Sequence, residues 1–301
     1  MASFNSIVKD IKEIKIQGAS NIAKAAVNAL ETVSHEYKNT DEQELINVLN
    51  KAKIILFKIR PTEPCMRNAL NYVLENIEEE KDIVRSVRKR AEYVMGHFEK
   101  VDNKVSEFAA RKISNNMVVF THCHSSSVIR SLIKAKKQGK RFEVHNTETR
   151  PFYQGRITAR ELSKNGIPIV HYVDSAARIA LKKADIMFLG ADAITTEGKV
   201  INKIGSELFA EVAERYDVPL YICSDSWKFN PLSVFGYEEI IEKRAPKEVW
   251  PTAPRGVFIN NISFEKINSD LITGIISELG VYPPEVFVEE VKKTYPWTFN
   301  K

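Results

Sequence analysis

The sequence predicts an α/β protein, with an N-terminal all-helical domain over residues 1–112 followed by a Rossmann-like parallel-sheet domain over 113–301. Three observations predict this. Chain-breaking residues are segregated, since of 12 glycines and 12 prolines only Gly18, Gly96, Pro61 and Pro64 precede position 113. Up to that point apolar residues recur at helical spacing. After Asn116 they gather into short continuous runs, the pattern of parallel strands buried on both faces. A length of 301 residues also exceeds what one compact core usually supports, so two domains are expected.

The helical elements follow in order. Ile22, Ala25, Ala26, Ala29, Leu30 and Val33 form one stripe of a helix beginning just after Gly18. Thr40, with Gln43 three places on, reads as a capping box opening a second helix that carries Leu45, Val48, Leu49 and Ala52. Arg60-Pro61-Thr62-Glu63-Pro64 interrupts it, because each proline restricts itself and the residue before it. A third set, Leu70, Val73, Leu74 and Ile77, leads through Glu78-Glu79-Glu80-Lys81 to Ile83, Val84, Val87, Ala91, Val94, Phe98, Val101, Val105 and Phe108. The intervening Arg85, Arg88, Lys89 and Arg90 read as a solvated face, because acids and bases interleave there with few aromatics.

In the second region the apolar runs are 117–120, 142–144, 167–170, 186–189 and 220–222, most of them followed by a helical stretch such as 125–138 or 158–164. In a parallel sheet the loops at the carboxyl ends of the strands form the ligand crevice. That singles out Thr121-His122-Cys123-His124-Ser125, Asn146-Thr147-Glu148-Thr149-Arg150, Gly190-Ala191-Asp192 and Ser224-Asp225-Ser226-Trp227-Lys228.

Composition removes several classes. With 44% hydrophobic and 28% charged residues the chain is globular rather than disordered or fibrous. No apolar run approaches the ~18 residues of a membrane helix. The N-terminus lacks a secretory signal, so a cytoplasmic protein is expected. Cys65, Cys123 and Cys223 are too few for a disulfide scaffold or a four-cysteine zinc site. A net charge of +5 from 44 basic and 39 acidic residues leaves the surface mixed, so nucleic-acid binding is not demanded. Neither a dinucleotide GxGxxG nor a P-loop is present.

Read by itself, Cys123 is open to three readings: a buried structural thiol, a catalytic group made more acidic by helix-terminal amides, or a metal ligand between His122 and His124. Asp192 reads either as a turn or cap aspartate or as a partner of a neighbouring thiol in proton transfer. Asn202 and Lys203 precede a helix starting near Ser206 and suit an anionic ligand. Arg60 and Lys228 are weak signals individually, and packing is the default for Cys65 and Cys223.

Five ordered stretches nevertheless resemble one family, that of the translation initiation factor 2B alpha, beta and delta subunits together with related sugar-phosphate isomerases. They are Thr121-His122-Cys123-His124-Ser125; Thr147-Glu148-Thr149-Arg150-Pro151 with Gln154-Gly155-Arg156; Asp174-Ser175-Ala176-Ala177; Gly190-Ala191-Asp192-Ala193-Ile194; and Asn202-Lys203-Ile204-Gly205. Arg60-Pro61-Thr62, Leu271-Ile272-Thr273 and Glu278-Leu279-Gly280 extend the likeness over nearly the whole chain. It is strongest toward the archaeal isomerases of ribose 1,5-bisphosphate, with those of methylthioribose 1-phosphate more distant.

The resemblance implies an aldose-ketose isomerase acting on a phosphorylated pentose, most closely ribose 1,5-bisphosphate going to ribulose 1,5-bisphosphate, without cofactor or metal. It implies Cys123 and Asp192 as the catalytic pair, with the thiol as base and the carboxyl as acid. The implied substrate-binding set is Arg60, Asn202, Lys203 and Lys228, joined by Ser125, Arg150 and Gln154 of the matching stretches. It also includes the N-terminal loop Gln17-Gly18-Ala19-Ser20, where the isomerases usually read Arg-Gly-Ala around a phosphate. Glu197 stands where asparagine is frequent. The family further implies a homo-oligomer, a dimer or hexamer. The alternative it offers is a non-catalytic regulatory subunit that binds initiation factor 2 or senses a nucleotide or sugar phosphate. Val281-Tyr282-Pro283-Pro284 and Trp297 suit either an interface or packing within the chain.

Overall fold

The computed structural model describes residues 3–13, 15, 16, 18–61, 63–235 and 243–299. Helices come first: α1 (Phe4–Lys12), α2 (Ala19–Glu36), α3 (Glu42–Ile59), α4 (Pro64–Leu74) and the long α5 (Ile83–Arg111). Gly18 precedes α2 with φ 86°, a backbone state that costs glycine nothing. The second helix is capped by Asp41 and not by Thr40. The Asp41 carboxylate accepts from the Glu44 amide at 3.0 Å, while the Thr40 hydroxyl donates to the Tyr37 carbonyl. Pro64 opens α4 at a position where a missing amide hydrogen is harmless.

The second region alternates as expected: β1 (Val118–Thr121), α6 (Ser126–Lys137), β2 (Glu143–Thr147), α7 (Gln154–Lys164), β3 (Ile169–Tyr172), α8 (Ala177–Leu181) and β4 (Ile186–Leu189). Then come β5 (Ala193–Ile194), β6 (Val200–Lys203), α9 (Ser206–Arg215), β7 (Leu220–Cys223), β8 (Phe264–Ile267), β9 (Gly274–Ser277), β10 (Gly280–Tyr282) and α10 (Pro284–Thr294). Helix α7 begins four residues earlier than its apolar periodicity suggests, because Gly155 lets its first turn lie on the end of β2. A Cβ at Gly155 would fall 1.7 Å from the Thr147 carbonyl oxygen.

Among the described residues the main sheet has the order β10-β9-β7-β4-β1-β2-β3, parallel throughout except at β10. This is a doubly wound, Rossmann-like arrangement whose direction reverses between β1 and β4, where a crevice opens at the carboxyl ends. A small antiparallel sheet, β5-β6-β8, stands beside that crevice.

Three apolar clusters hold the molecule together. Helices α1 to α4 and the first half of α5 share one cluster, which also takes in Trp227. Val101, Val105, Ala109 and Ala110, from the second half of α5, belong to another that includes α6 and residues of the sheet. The third cluster gathers Phe120, Leu189, Phe209, Phe229 and Phe287 on the opposite side of the sheet. Trp297 packs within the chain against Tyr72, Trp227 and Tyr295. No helix of the described residues is long and apolar enough to cross a membrane.

Candidate active site

The crevice is built from the ends of β1 and β4. After β1 the backbone reverses at Cys123, whose φ of 64° is left-handed, and Ser125 then caps α6 by accepting from the Val128 amide. Gly190, directly after β4, lies against this turn. A Cβ there would sit 2.6 Å from Ser125 Oγ, so glycine is what allows the two loops to close up. Cys123 and Asp192 therefore come from the two strands that flank the switch point.

A hydroxyl network fixes the cysteine turn. The Cys123 amide donates to Thr149 Oγ1 at 3.0 Å, and the Thr158 hydroxyl donates to the Cys123 carbonyl at 2.7 Å. Thr149 is itself left-handed, with φ 62°, a strained state for a β-branched residue. Asp174 holds that strain in place, its two carboxylate oxygens accepting the amides of Thr149 and Arg150 at 2.8 Å each. His122 is buried behind the turn. Its Nε2 faces the Ile204 carbonyl at 3.0 Å and so carries the hydrogen. Its bare Nδ1 then accepts from the Thr147 hydroxyl at 2.5 Å, with Thr149 Oγ1 at 3.4 Å. Burial drives its pKa down to about 4, so the ring is neutral near neutral pH.

Burial likewise pushes the Cys123 thiol up to about 11, with Lys203 pulling the other way. The resting thiol is therefore protonated near neutral pH, and it lies 3.6 Å from Gln154 Oε1, to which it can donate. Asp192 is half-buried, and desolvation raises its carboxyl above the usual range. Lys228, Lys203 and Arg60 oppose that rise and favour the carboxylate. Lys228 Nζ donates to the Ala191 carbonyl at 2.6 Å, next to Asp192. Lys203, at the end of β6, rests over the Phe264 ring at 4.4 Å.

Eight of the expected residues thus gather around the crevice: Cys123, Ser125, Gln154, Asp192, Asn202, Lys203, Lys228 and Arg60. Two of them hold buried donors with no partner among the described residues, Arg60 Nε and Asn202 Nδ2. Arg150 is exposed and turned outward, bonding the Tyr153 hydroxyl and the Val249 carbonyl. Gly18, Ala19 and Ser20 form the start of α2, with Gly18 at the N-cap position. Gln17, like Thr62 of the Arg60-Pro61-Thr62 motif, lies outside the described residues. Glu197 is exposed and paired with Lys199 at 2.6 Å, so it does not point a carboxylate inward. Thr147, Thr149 and Asp174 shape the site without having been singled out individually; the first two lay in a strand-end loop and a family stretch, and Asp174 in a family stretch alone.

The fold and site together define a Rossmann-like protein whose switch point brings a thiol and a carboxylate to neighbouring strand ends among lysines. The chain belongs to the Initiation factor 2 subunit family, which it matches over residues 15–284. It is 36% identical to a ribose 1,5-bisphosphate isomerase of Thermococcus kodakarensis, covering 98% of this chain and 95% of that protein. It is 30% identical to a methylthioribose-1-phosphate isomerase of Thermoanaerobacter sp., covering 91% and 86% respectively. The crystal structure of a Pyrococcus horikoshii translation initiation factor eIF-2B superposes with a TM-score of 0.82 at 27% identity, over 95% of this chain and 98% of that one.

Proposed function

We propose that the protein is a sugar-phosphate aldose-ketose isomerase that converts ribose 1,5-bisphosphate to ribulose 1,5-bisphosphate, with Cys123 and Asp192 as the proton-transfer pair. The observation that carries the reading is the placement of a buried, protonated thiol and a cation-flanked carboxylate at the two strand ends of the switch point. The isomerase names of full-length relatives support the reaction class.

The chemistry asks for one proton donor and one acceptor. As the furanose opens, the bond between C1 and the ring oxygen breaks and that oxygen gains a proton. A hydrogen then passes from C2 to C1, while the C2 hydroxyl loses its proton and becomes the carbonyl. Because burial keeps the Cys123 thiol protonated at rest, it serves the first need, and the Asp192 carboxylate serves the second. These starting roles reverse those expected from the resemblance, where the thiol was the base. Lys203, Lys228 and Arg60 supply positive charge for the phosphates, and the start of α2 supplies a further place for an anion. Arg60 Nε and Asn202 Nδ2 gain acceptors from the ligand.

Turnover of purified protein on ribose 1,5-bisphosphate, beside methylthioribose 1-phosphate, tests this. Cys123→Ser and Asp192→Asn are each expected to cut kcat by about a thousandfold or more, with an unchanged unfolding transition. Full activity in both variants would sink the assignment. A second reading, a regulatory subunit that binds initiation factor 2, draws on the likeness to the eIF-2B structure. Retention of initiation factor 2 by a chain inactive on both sugars would favour it.

A further inference from the structure

Lys228 occupies a short turn, Ser226–Lys228, whose neighbours point into different cores. Trp227 lies in the helical cluster, stacked on His97 with ring centroids 4.0 Å apart, whereas Phe229 lies in the cluster on the sheet. Between them one side chain from α4 bonds both backbones. Asn68 Nδ2 donates to the Trp227 carbonyl and to the Phe229 carbonyl, at 2.8 Å each. Asn68 is only 2% exposed, so these carbonyls have no water to fall back on.

The rest of the turn is tied as well. Asp225 Oδ1 accepts from the Trp227 amide at 2.8 Å and faces His97 Nε2 at 3.3 Å. Glu278 accepts from the Ser226 amide and hydroxyl and from the Tyr295 hydroxyl. The Lys228 ammonium is what this scaffold leaves pointing into the crevice, where it reaches the Ala191 carbonyl.

We propose that Asn68 is a positioning residue: by holding the two carbonyls that flank Lys228, it sets that ammonium beside Asp192 and joins the helical region to the acid–base pair. The inference rests on the isomerase reading only for its kinetic consequence, because the placement of Lys228 can be measured without turnover.

The test is Asn68→Ala in the full chain. Acylation of each lysine by an amine-selective reagent is followed by mass spectrometry, alongside steady-state kinetics on ribose 1,5-bisphosphate. Release of the two carbonyls is expected to raise the labelling rate of Lys228 about tenfold while leaving Lys203 within about twofold of the parent. KM is expected to rise about tenfold and kcat to fall as Asp192 loses its neighbouring ammonium, whereas a general loss of folded protein leaves KM unchanged. Asn68→Ser, which keeps one hydroxyl donor, should fall between parent and alanine variant.

Unchanged Lys228 labelling in folded Asn68→Ala overturns the proposal, as does equal acceleration at Lys203. If neither variant folds, Asn68 is a structural residue and the positioning role falls. If the parent chain does not turn over the bisphosphate, the isomerase reading fails, and the labelling result decides the position of Lys228 by itself.

Discussion

His122 shows how much of the crevice depends on a side chain outside the proposed proton-transfer pair. It is enclosed by the Thr147 and Thr149 hydroxyls on one side and the Ile204 carbonyl on the other, with Phe209 4.6 Å from its ring. The ring therefore links the Cys123 turn to the segment that carries Asn202 and Lys203. A proton on Nδ1 would place a charge at a site too dry to solvate it, a cost that the Asp174 carboxylate 3.9 Å away offsets only in part. An imidazole held neutral in this way stabilises the fold fully above its ordinary value near 6.5, and that contribution is lost as pH falls toward about 4. We expect acidification across that window to cost on the order of 3 kcal/mol through this group. The measurement is denaturant unfolding at pH 7 and at pH 4.5. The loss on acidification should be smaller in His122→Asn than in the parent, and an equal loss in both would refute the account.

At the scale of elements, helix starts provide a sharp comparison. Asp41 caps α3 through the Glu44 amide, whereas the Thr40 hydroxyl only closes the preceding turn. Asp41→Ala should therefore lower stability by about 1 kcal/mol and Thr40→Ala by less than about 0.5, read from urea midpoints. The five apolar runs of the second region and the helices around Gly18 and Ser125 were legible because periodicity and caps are local signals. The small sheet was not, since β5 has two residues and β6 and β8 have four each, interrupted by polar positions. The Asp41 cap was missed because Thr40 with Gln43 offers the same residue types one place earlier. Within the crevice, Cys123 and Asp192 stood out by strand-end position and by resemblance. Asn68 did not, because its partners lie 159 and 161 residues away and an asparagine on a helix carries no mark of what it will meet.

At the scale of the whole molecule, α5 is the element that makes two regions one. Its first half lies in the helical core and its second half in the core against the sheet, without a break between residues 83 and 111. Trp227 returns the connection, reaching from the sheet end into the helical core. The two regions should consequently unfold together. Val105→Ala, on the sheet side, and Val94→Ala, on the helical side, are each expected to lower stability by about 2 kcal/mol while calorimetry still shows one transition. Two resolved transitions in either variant would show the regions to be separable. Arg60 arrives in the crevice from the end of α3 and Asn202 from the small sheet, and each brings a dry donor with no partner among the described residues. Under the isomerase reading proposed above, their consequence is discrimination by rejection: a sugar that offers acceptors to both is welcomed, whereas one lacking either leaves a buried donor stranded. On that reading the crevice screens ligands by the groups they omit as much as by those they carry.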